Sequence, residues 1–119
     1  MRFSSKIKLD TYNCLVTFIV TDNLYGVLKS IYTKHKINEE IDADAEGLVV
    51  TADISTYYLV VDRQFITHNT LAHEIFHVVI KMTESRDIFD EEAQAWIAGH
   101  IAGGIYKCLE KKGIKVKCE

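Results

Sequence analysis

Apolar positions along the chain change period several times, and each change marks an element. Across residues 6–20, Tyr12, Cys14, Val16, Phe18 and Val20 alternate with Asn13, Leu15, Thr17 and Ile19, the two-residue repeat of a strand. Because the second set is itself partly apolar, the strand is expected to be covered on both faces. Thr21-Asp22-Asn23 then offers capping side chains for a helix reaching about Lys36, with Leu24, Val27, Leu28 and Ile31 on one face. Residues 38–46 carry Glu39, Glu40, Asp42, Asp44 and Glu46 and read as a solvated acidic loop. They lack the glycine and spacing of a calcium-binding loop.

Two short β-rich runs follow, 47–52 and 57–61, joined by Asp53-Ile54-Ser55-Thr56 as a hairpin with a four-residue loop. A helix is expected from about Thr67 to Met82, a polar loop over 83–89, and a last helix from about Asp90 to Lys111, stopped by Gly113. The order strand, helix, hairpin, helix, helix predicts an α+β fold, a small mixed or antiparallel sheet with a hairpin edge strand, backed by helices.

The helix at 67–82 raises a chemical question. Its stretch TLAHEIFHVV is apolar nearly all round, which predicts burial, yet it holds His73, Glu74 and His77. Unpartnered polar groups in such a place would cost on the order of 1–3 kcal/mol each. Histidines four apart share one helix face and can reach one point, while Glu74 lies about 100° round from His73. The five residues HEIFH are an instance of H-E-x-x-H, a zinc-binding pair with its general base. A catalytic zinc needs a third protein ligand, for which Glu84, Asp87, Asp90, Glu91, Glu92 and His100 are candidates. Glu92 is preferred, because Ala95, Gly99 and Ala102 or Gly103 continue its stripe and would let the two helices pack closely.

TLAHEIFHVV followed by DEEAQAWIAGHI resembles the gluzincin metallopeptidases, in which a downstream helix supplies the third ligand. The segment EEAQAWIA is most similar to the E-A-N-x-F-A pattern of small ImmA/IrrE-like peptidases, often encoded by phages and mobile elements. In that comparison Glu92 matches the ligand glutamate, while Gln94 and Trp96 replace asparagine and phenylalanine. The specific match covers residues 68–98. It implies a minimal zincin-like domain spanning 1–119 and one Zn²⁺ held by His73, His77 and Glu92. The implied reaction is hydrolysis of a peptide bond in a narrow protein substrate, with Glu74 as general base. His100, Tyr106, Tyr57, Tyr58 and His68 are the side chains available to steady an oxyanion or a ligand. A peptide is expected to add as a strand along 57–61. The alternative function is a catalytically silent, zinc-bearing module of the same fold that binds a peptide or protein.

Composition narrows the setting. The chain has 119 residues, 48% hydrophobic and 26% charged, as expected for one globular domain. A formal net charge of −3 argues against nucleic-acid binding by bulk electrostatics, and KKGIKVK near the C-terminus reads as a solvated tail. Three cysteines without paired spacing predict no disulfide framework and a cytoplasmic setting. No apolar run is long enough for a signal peptide or a membrane span.

Overall fold

The computed structural model describes residues 2–119. Four strands, β1 (Arg2–Leu9), β2 (Cys14–Thr21), β3 (Gly47–Asp53) and β4 (Thr56–Asp62), form one mixed sheet in the order β1-β2-β4-β3. β1 and β2 are antiparallel, β2 and β4 parallel, and β4 and β3 antiparallel. Helix α1 (Leu24–Lys34) lies in the crossover between β2 and the β3–β4 hairpin, and α2 (His68–Glu84) and α3 (Glu91–Lys111) follow it. The fold is thus α+β, as the periodicities indicate.

Two apolar clusters place the layers. On one face, Ile7, Val16, Phe18, Leu59 and Val61 pack with Leu71, Val78, Ile97 and Ile105 of α2 and α3. On the other, Ile19, Val50 and Val60 pack with Leu24, Leu28 and Ile31 of α1. The central strands β2 and β4 are therefore covered on both sides, which accounts for apolar residues in both of their alternating sets.

The structure corrects several boundaries. The single strand expected over 6–20 is two strands, because Asp10-Thr11-Tyr12 forms a 3-10 turn and Asn13 adopts φ 52°. Asparagine tolerates this left-handed conformation, so it can turn the chain between two strands whose buried apolar sets fall at odd positions in β1 (Ile7, Leu9) and even ones in β2 (Cys14, Val16). The hairpin loop is two residues, Ile54-Ser55, rather than four, with Asp53 accepting a hydrogen bond from the Ser55 N–H (2.8 Å). Residues 57–61 are not an edge: β4 is paired on both sides, and the hairpin's edge strand is β3. Helix α2 extends to Glu84, so the following loop is shorter than expected.

The C-terminal residues are not a free tail either. Lys117 bridges Thr67 in parallel fashion, and the first-turn amides of α2 donate to this segment, His68 to Lys117 O (3.0 Å) and Asn69 to Glu119 O (2.8 Å). Among the described residues no helix is long and apolar enough to cross a membrane.

Candidate metal centre

Helix α2 starts at Thr67, whose hydroxyl accepts a hydrogen bond from the Thr70 N–H (3.0 Å). From that start, Leu71, Ile75, Val78 and Met82 face the sheet and are buried. His73 and His77 fall on the opposite side and are exposed, as is Phe76, at 61%. The expectation of buried histidines is thereby corrected. Small and apolar residues such as Ala72 and Phe76 made the helix read as apolar all round, but α2 has a solvent face and the imidazoles are on it. The buried polar group is Glu74, 6% exposed.

The two imidazoles converge. Their Nε2 atoms are 3.1 Å apart, with ring centroids at 4.7 Å and planes at 78°. Two nitrogens each about 2.05 Å from one tetrahedral ion are about 3.3 Å apart, so the spacing fits joint ligation of zinc. Within the chain alone, one ring can donate its Nε2–H to the other.

Glu74 sits between this pair and the edge strand. A Cβ on Gly47, the first residue of β3, would lie 3.2 Å from Glu74 Cγ, 3.4 Å from Glu74 Oε2 and 3.2 Å from the Val60 carbonyl. Glycine there leaves room for the carboxyl group. Burial raises the Glu74 pKa, and the neighbouring His73 opposes the rise. His73 and Glu74 line a cavity of about 300 Å³ together with Asp42, Glu46, Gly47 and Asn69. Thr70 donates its hydroxyl to Glu46 there (3.4 Å). Glu46 and Asn69 were not picked out from the sequence. The usable signal was that Glu46 directly precedes the hairpin strand, whereas its acidic run reads as solvated charge.

A second, apolar groove of about 590 Å³ runs between α2 and α3, past Phe76, Ile80, Ala95, Ala98, Ala102 and Tyr106. Small residues of α3 do face α2, but the glutamate on that stripe is Glu91, not Glu92. Glu92 is exposed, and its N–H donates to the capping carboxylate of Asp90 (3.2 Å). Among the described residues no group of three or more His, Cys, Asp or Glu side chains could hold a metal ion, so Glu92 is not brought to the histidine pair. The donor set thus fits zinc through its two imidazoles and lacks the third ligand in this conformation.

The other candidates disperse. His100 is exposed rather than packed in the core, and its Nε2 donates to the Lys8 carbonyl on β1 (2.8 Å). Tyr57 is fully buried and donates to the Ile54 carbonyl (3.0 Å), a packing role at the hairpin. Tyr58 bonds His35 Nε2 (2.8 Å), placing it with α1. Tyr106 stacks on His68, with its hydroxyl 2.8 Å from Nδ1, and borders the α2–α3 groove; burial raises its pKa. Of the four, Tyr106 alone lines a cleft beside α2. No family model matches the sequence, and no curated protein or solved structure is significantly similar to it.

Proposed function

We propose that this protein is a zinc-dependent peptide hydrolase of narrow substrate range, working in a reducing compartment. The observation that carries the reading is the convergence of His73 and His77, Nε2 to Nε2 at 3.1 Å, beside a buried Glu74 and a free sheet edge. Free Cys14, Cys108 and Cys118 accord with the compartment.

His73 and His77 would hold the ion, with a carboxylate from the first turn of α3, Glu92 by its resemblance to the gluzincin pattern, as third ligand. Bound zinc would acidify a water and polarise a carbonyl. Glu74 would take a proton from that water and return it to the leaving amine, and burial brings its basicity toward neutral pH. The outer edge of β3 offers unpaired backbone groups to an extended peptide. The apolar α2–α3 groove, with Phe76 on its rim, would receive a large side chain.

A specific observation favours a second reading. With Glu92 turned to solvent, the pair could hold zinc for recognition alone, in a binding module without turnover. Two measurements separate the readings. The zinc content of reconstituted protein should be near one equivalent and fall by more than half in His73→Ala. Glu74→Gln should keep the zinc and abolish cleavage of a peptide library that wild type cuts. Zinc bound without any cleavage by wild type would favour the module, and no zinc in wild type would sink both.

A further inference from the structure

The cavity of about 300 Å³ beside Glu74 is rich in hydrogen-bond acceptors and poor in donors. It lies between the first turns of α2 and the approach to β3. Three of its lining side chains are carboxylates, Asp42, Glu46 and Glu74, and none of the described residues lining it is lysine or arginine. Their partners within the chain are few. Asp42 accepts one backbone N–H, from Asp44 (2.9 Å), and Glu46 one distant hydroxyl, from Thr70 (3.4 Å). Glu74 is only 6% exposed, yet among the described residues its carboxyl accepts no hydrogen bond and meets no ammonium or guanidinium group. Leaving a buried acceptor without a partner is costly, so this one points to a donor from outside the chain.

The backbone decides the charge of that donor. A helix N-terminus ordinarily attracts anions through its free N–H groups. In α2 those groups are consumed: His68 donates to Lys117 O (3.0 Å), Asn69 to Glu119 O (2.8 Å), Leu71 to Thr67 O (3.0 Å) and Thr70 to Thr67 Oγ1 (3.0 Å). An anion entering the cavity would meet three carboxylates and no open amide of this turn. A bare metal ion fits no better, since among the described residues no three His, Cys, Asp or Glu side chains are grouped to hold one. Carboxylates spread around a space of this size suit a cation that carries several donors on a stem. His73 and Glu74 line the cavity and belong to the candidate metal centre, so a group lodged here lies next to that centre.

We propose that this cavity binds a cationic group of the substrate, a lysine or arginine side chain or a free α-ammonium, with Asp42 and Glu46 as its counter-ions and Glu74 at the inner wall. That the cation belongs to a peptide under hydrolysis rests on the proposed function. That the cavity takes an organic cation does not.

The test titrates the full chain, in chelator, with Nα-acetyl-lysine amide, Nα-acetyl-arginine amide and norleucine amide, whose only cation is its α-ammonium. Nα-acetyl-norleucine amide is the neutral control. Binding is read by NMR at the backbone amides of Glu46, Gly47, Asn69 and Thr70. At least one cationic probe should shift those amides and saturate below about 10 mM, and the neutral control should not. The acetylated and free-amine probes distinguish a side chain from a chain terminus. Asp42→Asn/Glu46→Gln should weaken the binding about fivefold or more, and raising salt from about 50 to about 200 mM should weaken it too. In zinc-loaded protein, cleavage should favour peptides presenting the same cationic group, and the double variant should shrink that preference by a similar factor. Cleavage without probe binding or cationic preference would overturn the cation site and leave the hydrolase standing. Probe binding at these amides without any cleavage would support the cation site and remove the hydrolase. Equal shifts from the neutral control, or an unchanged affinity in the double variant, would also overturn the proposal. So would calcium ions shifting these amides while the organic cations do not, which would assign the cavity to a metal.

Discussion

Arg86 offers a sharp test of how the sheet is held to α2. Its guanidinium lies just past the C-terminus of that helix and reaches both turns at one end of the sheet. Nη2 donates to the Ile54 carbonyl in the β3–β4 turn (2.7 Å) and contacts the Cys14 sulfur at the start of β2. Nη1 donates to Ser85 Oγ (3.1 Å), to the Met82 carbonyl (3.3 Å) and to the buried Tyr57 hydroxyl (3.4 Å). Arg86→Met keeps the apolar stem and removes every donor. Hydrogen bonds to a charged group contribute about 1.5–3 kcal/mol. Only the Ile54 contact is both short and to a strong acceptor, and Tyr57 still donates to that carbonyl, so the net loss should be about 2 kcal/mol. For a domain of this size that lowers Tm by roughly 8 °C. Urea unfolding followed by circular dichroism should show the midpoint falling with the m-value unchanged. Arg86→Lys should fall between, since one ammonium cannot serve both turns. A loss below about 0.5 kcal/mol in Arg86→Met would show that the clamp contributes nothing and that apolar packing alone ties α2 to the hairpins.

Other outcomes follow from single contacts. Burial raises the Glu74 pKa above its ordinary 4.5, so the metal-free folded state holds that proton more tightly than the unfolded chain does. Its stabilising effect is complete below pH 4.5 and is lost as pH rises through the folded value, so Glu74→Gln should gain on wild type toward neutral pH. The gain is on the order of 1 kcal/mol, because the carboxyl opens on a cavity; thermal melts in chelator that run parallel from pH 4 to 8 would refute it. Gly104→Ala should cost about 1 kcal/mol, overpacking against Ile7 outweighing better helix propensity, whereas Gly99→Ala, with nothing within 4 Å, should gain about 0.5–1 kcal/mol. Chemical denaturation of the pair should show opposite signs. Asp90→Ala removes the cap of α3 and should cost about 1 kcal/mol, with hydrogen exchange quickened first at the Glu92 amide.

Periodicity made the helices legible, because α1, α2 and α3 each bury one stripe and begin at side-chain caps, Asn23, Thr67 and Asp90. It failed at residues 10–13, where the apolar set shifts from odd positions (Ile7, Leu9) to even ones (Cys14, Val16) across the turn that left-handed Asn13 completes, a change of phase that a single strand does not accommodate. Strand order was hidden. That β4 sits inside the sheet and β3 outside depends on the parallel pairing of β2 with β4, a contact between distant segments. At the candidate site, the spacing of His73 and His77 was enough to foresee converging imidazoles. Which glutamate of the Glu91–Glu92 pair faces α2 was not foreseeable, because it turns on the rotation of α3 about its own axis. That rotation is set by Ile97, Ile101 and Ile105 in the core.

The strap formed by Lys117 and Glu119 over the first turn of α2 has a consequence for the order of events during synthesis. The amides it covers begin the helix that carries His73 and His77, yet the carbonyls that cover them come from far downstream. A ribosome delivers the chain from its N-terminus, so β1, β2 and α1 can associate while α2 still has an open end. The histidine helix is closed only after α3 has emerged and folded back. Closure of the α2 N-terminus is therefore a late step, one that waits on residues more than forty positions downstream of the amides they cap.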